Sequence, residues 1–324
     1  MNKSKSGIVK VQQAVNKLGA WFIVIILSIV LSIISKNFLT LNNVINVVRQ
    51  VSVTAIVGLG VSFVVLGGEI DLSTGMMATF AGTNAALLTT KQDMNTWLAI
   101  LIAILIGGLI GCFSGVVVTY LKVPSFITTL AMQYVINGLI LLTTKSMPVT
   151  GIPDNFVMLG RGYIGNVFPV PVLIMLVLFA IGAFVLKYTI FGRSVLAVGE
   201  KPEVARLSGI SVNKTRVLMF IVCGVCAAAA GIVMTGRLNS GQPTSGQDLA
   251  LEALAAVYIG GTFSGSMLNT LAGALTWGIM NNGLNILGVG PHWQKIILGF
   301  VIIAAVLLDI ARTRISAKQS ASAA

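Results

Sequence analysis

Long apolar runs, repeating from near one end of the chain to the other, restrict its folds more than any other feature. A membrane-crossing helix needs about 20 predominantly apolar residues. Ten stretches approach or reach that length: 20–34, 44–66, 72–90, 97–119, 124–143, 171–188, 215–236, 248–262, 267–287 and 293–310. Only 9% of the 324 residues are charged and 56% are hydrophobic, whereas soluble domains carry about 25% charged residues. The expected fold class is therefore all-α, a polytopic integral-membrane helical bundle of about ten transmembrane helices. Residues 1–19 form a basic cytoplasmic N-terminus, 20–310 the transmembrane domain and 311–324 a cytoplasmic tail. The first run resembles a signal peptide, but no A-x-A site follows Ile34 and further apolar runs come at once, so it reads as the first membrane helix.

The net charge of +12 is arranged for a membrane and not for nucleic acid. With the N-terminus inside, Lys3, Lys5, Lys10, Lys17, Lys122, Arg312, Arg314 and Lys318 fall in the cytoplasm. So do Lys187, Arg193, Lys201, Arg206, Lys214 and Arg216, the six basic residues of 187–216 in and around the connector 189–214. The outside then holds Lys36, Lys91, Lys145, Arg161, Arg237 and Lys295, which satisfies the positive-inside bias. The Pro- and Gly-bearing stretch 144–170 becomes an external loop, and the Ser/Ala-rich tail after Arg314 is expected to be disordered.

Several chemistries are excluded. No G-x-x-x-x-G-K-[ST] occurs, so the chain has no Walker-type ATP site. His292 is the only histidine, and no second cysteine pair joins Cys223 and Cys226 to make a zinc site. That CxxC lies among small residues in an apolar run and reads as packing. Gly107, Gly111 and Gly115 form a small-xxx-small face for close helix approach. No cofactor and no metal are expected.

Four polar segments interrupt the apolar pattern. In Leu66-Gly-Gly-Glu-Ile-Asp-Leu-Ser-Thr-Gly75, Asp71 stands where a helix N-cap belongs, with Ser73 and Thr74 in the first turn. Such a break is either a capped helix at the boundary or an irregular segment lining a polar cavity. Arg237-Leu-Asn-Ser-Gly-Gln-Pro-Thr-Ser-Gly246, followed by Asp248 and Glu252, reads as an external turn or outer gate. Met280-Asn-Asn-Gly-Leu-Asn-Ile-Leu-Gly288 carries asparagines that bond solute hydroxyls or hold helices together. In the connector, Pro202 starts a short amphipathic helix that Gly209 ends. It is too short to stand alone in water, and suits docking into a partner's groove.

The connector run F-G-R-S-V-L-A-V-G-E-K-P-E-V-A-R-L-S-G-I-S-V-N-K resembles the cytoplasmic loop of ribose-type permeases of ATP-binding-cassette importers. G-G-E-I-D-L-S-T-G, R-L-N-S-G-Q-P-T-S-G, A-A-V-Y-I-G-G-T and N-N-G-L-N-I-L-G-V match that family in the same order, from about residue 37 to 310. The family's E-L-x-A-I-A-A-V has Ala250 in place of its glutamate, with Glu252 two residues on. Its glycine-rich loop is shortened to residues 260–266. The resemblance implies a non-enzymatic permease subunit of a bacterial cell membrane, paired with a second copy or a related chain. It also implies an ATPase subunit and an extracytoplasmic sugar-binding protein as partners. The coupling helix would involve Glu200, Lys201, Pro202, Glu203, Ala205, Arg206, Leu207 and Gly209. Glu69, Asp71, Ser73, Glu252, Asn281 and Asn282 are the candidates for the path or its gate. Pentoses, hexoses and inositols all suit it as cargo. An ion-coupled secondary transporter is the alternative, and it would want a buried carboxylate relay, which the sequence does not supply.

Overall fold

The computed structural model describes residues 3–323 apart from 166, 263 and 264, with side chains over 19–307 apart from the same three. Every one of the ten apolar stretches falls on a helix. These are α1 (Lys3–Ile34), α2 (Leu41–Leu66), α3 (Thr74–Lys91), α4 (Thr96–Tyr120), α5 (Ser125–Thr144), α7 (Val170–Tyr188), α10 (Val212–Leu238), α11 (Leu249–Gly260), α12 (Met267–Ile286) and α13 (Pro291–Ala323). Between them lie three short helices, α6 (Asp154–Arg161), α8 (Ile190–Glu200) and α9 (Pro202–Leu207). A small hairpin pairs β1 (Tyr163–Ile164) with β2 (Phe168–Pro169). Among the described residues five helices, α2, α4, α5, α7 and α10, are long and apolar enough to cross a membrane by themselves. The chain is a polytopic helical membrane protein.

Burial separates the helices into an inner and an outer set. The apolar stretch of α2 is 83% buried, against 28% in α4 and 22% in α5. The inner set α2, α3, α10, α11 and α12 encloses Ile56, Phe63, Met219 and Phe220. The outer helices turn Leu109, Phe113, Leu142 and Ile181 outward, as a hydrocarbon solvent requires. Because α3 is wrapped in protein, it tolerates Thr79, Thr83 and Thr89, whose hydroxyls bond backbone carbonyls one turn back.

Glycines set the inner packing. A Cβ on Gly107 would lie 2.6 Å from the Gly224 carbonyl, and one on Gly111 2.2 Å from that of Phe220. The expected small-residue face of α4 therefore does bring its backbone onto α10. Gly60 of α2 meets Cys223 and Cys226 in the same way, so the CxxC serves packing.

Three expectations need correction. The stretch 248–262 yields only a 12-residue helix, α11, about 18 Å long at 1.5 Å per residue and short of a ~30 Å hydrocarbon core. The tail, expected to be disordered, is helical to Ala323; the basic lead, whose conformation the sequence left open, is helical from Lys3. Neither segment holds a proline, and the tail is rich in Ala, the strongest helix former. The external loop contains α6, anchored by buried Phe156 and by Gly160, whose Cβ would collide with the α10 backbone at Gly236 and Arg237.

Candidate translocation and coupling sites

The first polar break leaves α2 at Gly67, where a Cβ would collide with Met219, and turns at Gly68 with φ +81°. Residues 69–73 are not helical, so their amides need partners from elsewhere. The α5 hydroxyls Ser125 Oγ and Thr129 Oγ1 accept the Ile70 and Leu72 N–H groups at 3.3 and 3.2 Å. Asp71 is fully buried, and its Oδ1 accepts both the Ser73 amide (2.9 Å) and the Ser73 hydroxyl (2.6 Å). The N-cap position is thus Ser73, not Asp71. Asp71 reaches forward in an Asx-type turn, which satisfies an amide just ahead of the helix. Its Oδ2 has no hydrogen-bond partner among the described residues, and the Cys223 thiol lies alongside. Glu69 is separate, in a half-buried ion pair with Arg216 at 3.2 Å.

The second break is not an external turn. After Asn239 closes α10 with φ +55°, Gly241 exchanges two backbone hydrogen bonds with Val149 (2.8 and 2.9 Å). The chain then runs inward along α3, with Gly241 against Thr83 and Gly246 against Thr79 and Gly75. Eight residues of helix is about 12 Å of depth. Ser240, Gly241, Pro243 and Gly246 are buried. Non-helical backbone at that depth is tolerated only inside protein or against a polar cavity, and here it has both.

The two breaks meet. A Cβ on Gly75 would sit 2.2 Å from the Gly246 carbonyl and 3.0 Å from the Ala250 nitrogen. The Ala78–Gly231 and Gly82–Thr235 contacts place α3 parallel to α10. The Thr54–Glu252 and Gly58–Ala253 contacts place α11 parallel to α2. The N-termini of α3 and α11 consequently face one another near mid-depth.

Beside this meeting point lies a cavity of about 200 Å³. Its polar lining includes Gln50, Thr54, Arg237, Gln247, Asp248 and Glu252. Glu252 accepts from Thr54 Oγ1 at 3.4 Å, and the Trp277 side chain lies alongside. Asp248 is held by Lys295 at 3.0 Å. Arg237 also borders a second cavity, of about 420 Å³, with Asn46, Arg49 and Arg161. Arg161 Nε donates to the Arg237 carbonyl (2.7 Å), and Arg49 stacks over Tyr163 at 4.4 Å. The arrangement offers guanidinium and amide donors over carboxylate and hydroxyl acceptors, the complement of a hydroxyl-rich solute.

Of the sequence candidates, Asp71 and Ser73 belong to the first break, Glu252 to the cavity and Glu69 to the ion pair. Asn282 and Asn43 exchange two amide hydrogen bonds (2.8 and 3.0 Å), joining α12 to α2, and Asn281 accepts from Asn285 at 3.2 Å. The Asn43–Asn282 pair joins two helices, whereas the Asn281–Asn285 bond lies within α12. Sequence reasoning passed over Gln50 and Thr54. Their signal is a polar pair at i and i+4 within an apolar run, beside Arg49.

On the face carrying the basic connector, α9 starts at Pro202, and Gly209 follows it with φ +83°, both as expected. Glu200 ends α8 and Lys201 is the cap of α9. Ala205 packs with Val198 and Val212, with Ile210 alongside, and so anchors a helix that could not persist alone. The outer side presents Val204, Leu207 at 89% exposure, and a Glu203–Arg206 ion pair at 3.6 Å. Residues 263 and 264 of the shortened glycine loop lie outside the described residues.

A polytopic helical bundle with two polar breaks meeting inside it, and a short helix held out on one face, defines a membrane permease. The match of residues 43–306 to the family described as "branched-chain amino acid transport system / permease component" is decisive, and the chain belongs to that family. It is 40% identical over 293 residues to the ribose import permease protein of Haemophilus influenzae, covering 88% of this chain and 90% of that one. It is 39% identical over 300 residues to the ribose import permease protein of Bacillus subtilis (90% and 92% covered). Against the D-allose transport system permease protein of Escherichia coli it is 36% identical over 300 residues, with 91% of each chain covered. No solved structure matches the chain.

Proposed function

We propose that the chain is the membrane-spanning subunit of an ATP-driven importer of a monosaccharide or related polyol, working by alternating access. The carrying observation is the polar cavity along the second break, beside the point where it meets the first within the membrane-embedded bundle. An unpaired hydroxyl moved into hydrocarbon costs about 2–7 kcal/mol, so a sugar with several needs such a lined route. The relatives named for ribose and allose import favour a sugar over the amino acid in the family's description.

In this reading the basic face is cytoplasmic, the chain crosses the membrane about ten times, and a second permease copy completes the path. Residues 201–209 seat in an ATPase partner, Leu207 and Val204 entering its groove and Glu203 and Arg206 fixing the register. Glu252, with Asp71 and Ser73 below it, lies on the path. An extracytoplasmic binding protein delivers the sugar to the opposite face. Hydrolysis belongs to the ATPase subunit.

Vesicles reconstituted with the permease, its ATPase and its binding protein should accumulate labelled sugar only when ATP is present. Concentrative uptake by vesicles holding this chain alone, driven by an ion gradient, would overturn the proposal.

A further inference from the structure

A cavity of about 610 Å³ opens on the basic face where α7 meets α8 and α12 begins. Its walls have two characters. One side is apolar, formed by Ala180, Ala183 and Phe184 of α7 with Met267 and Leu268 of α12. The mouth is cationic, formed by Lys187 and Arg193 around Tyr188. Lys187 Nζ lies 5.2 Å from the Tyr188 ring centre, and Arg193 Nη1 donates to the Tyr188 carbonyl at 3.5 Å. No carboxylate lines the cavity, and neither cation is in an ion pair among the described residues. The first residues of α12 line it too, and Ser266 makes no side-chain cap there. Their unpaired amides add a partial positive charge at the same mouth.

We propose that this cavity binds one anionic phospholipid of the cytoplasmic leaflet. From Ala180 to Lys187 is seven residues, so the apolar wall extends about 10 Å inward from the charged mouth. That shape fits a phosphate joined to an acyl chain; inorganic phosphate would leave the apolar wall bare. The lack of a carboxylate leaves the ammonium of a zwitterionic headgroup without a partner, so a net negative headgroup is selected. Phe184 and Tyr188 are exposed on the outer surface of α7, where lipid has access and aromatic side chains sit at the headgroup level. The occupied site would tie α7 and the α8 segment leading into α9 to the start of α12. Only the assignment to the cytoplasmic leaflet rests on the proposed orientation; the site itself does not depend on what is transported.

The test uses the full chain purified in a neutral detergent, with lipid retention read by native mass spectrometry. Two cations near the headgroup give about a thirtyfold preference for phosphatidylglycerol over phosphatidylcholine. Lys187→Gln with Arg193→Gln should abolish that preference, while Lys214→Gln, a neutralisation elsewhere on the same face, should keep it. Ala183→Trp fills the apolar wall without touching a charge and should also expel the lipid. Each variant's thermal midpoint, compared with wild type in lipid-free detergent, separates lost binding from lost folding. Equal retention of both lipids, unchanged retention in the double variant, or full displacement by millimolar glycerol phosphate would overturn the proposal. None of these readouts requires sugar transport, so failure here leaves the permease reading intact.

Discussion

Replacing Gly75 by alanine tests whether the two polar breaks are fitted to each other. The new Cβ would lie 2.2 Å from the Gly246 carbonyl oxygen, whereas ordinary contact begins at 3.4 Å, so the backbones must part by 1.2 Å (3.4 − 2.2). Neither side can yield cheaply. On its other flank α3 is pressed onto α10, where a Cβ on Gly231 would stand 1.8 Å from the Ala78 carbonyl. The obstructing atoms on the far side are backbone, not a swinging side chain. Overpacking of this kind costs about 1–3 kcal/mol, equivalent to a fall in thermal midpoint on the order of 2–12 °C. The control is Gly138→Ala in α5, where a Cβ meets nothing within 4 Å; it should be neutral or stabilising by up to about 1 kcal/mol through helix propensity. Thermal unfolding in detergent reads both, and sugar uptake should fall at least tenfold for Gly75→Ala alone. If the two variants melt and transport alike, the breaks do not seal against one another and the proposed path loses its basis.

Other outcomes follow from the same geometry. Leu207→Asp, at an exposed side chain, should change stability by no more than about 0.5 kcal/mol but weaken co-purification of the ATPase. Exchanging Glu203 and Arg206 to alanine together should separate ATP hydrolysis from uptake in reconstituted vesicles. Glu252→Gln keeps the shape of the cavity and should lower uptake about tenfold with little change in expression; a wild-type rate would remove Glu252 from the path. Asn43→Ala and Asn282→Ala should each cost about 1 kcal/mol, and the double variant little more than either single one, as a stability cycle would show.

The helical elements were legible because membrane burial imposes a length and an apolar content on each run independently of its neighbours. The Gly107, Gly111 and Gly115 face and the Pro202–Gly209 helix were legible for the same local reason, since spacing and caps act within a few residues. The fate of 239–248 was not. Its Gly, Pro, Ser and Gln residues describe an exposed turn as well as a buried re-entrant segment. The difference lies in Val149, Thr79 and Thr83, which offer backbone bonds and a groove from distant parts of the chain. Asp71 was placed within two residues, but the partners of the amides around it, Ser125 and Thr129, sit on α5 more than 50 positions away. The Asn43–Asn282 pair joins positions 239 apart, so the partner of Asn282 could not be read from its own neighbours in the chain.

The pairing of directions carries a mechanical consequence. One unit, α2–break–α3, and another, α10–break–α11, run through the bundle in opposite senses, and each break enters from a different face. The first begins at Gly67, beside Gly199 of the coupling connector, where a Cβ on Gly199 would lie 1.8 Å from the Leu66 carbonyl. The second begins at Gly241, tied to Val149 at the opposite face. Both helices that follow start without a side-chain cap, with their positive ends toward each other. Asp71 and Asp248 each stand beside one of those ends and offset the repulsion. If an ATPase seats α9 as proposed, a displacement of α9 would pass through α8 and Gly199 to the end of α2, which seven residues of non-helical chain join to the start of α3 and the Gly75–Gly246 contact. The two backbones touch there with no room for a Cβ on Gly75, so a shift carried along the first break must part them or press them together.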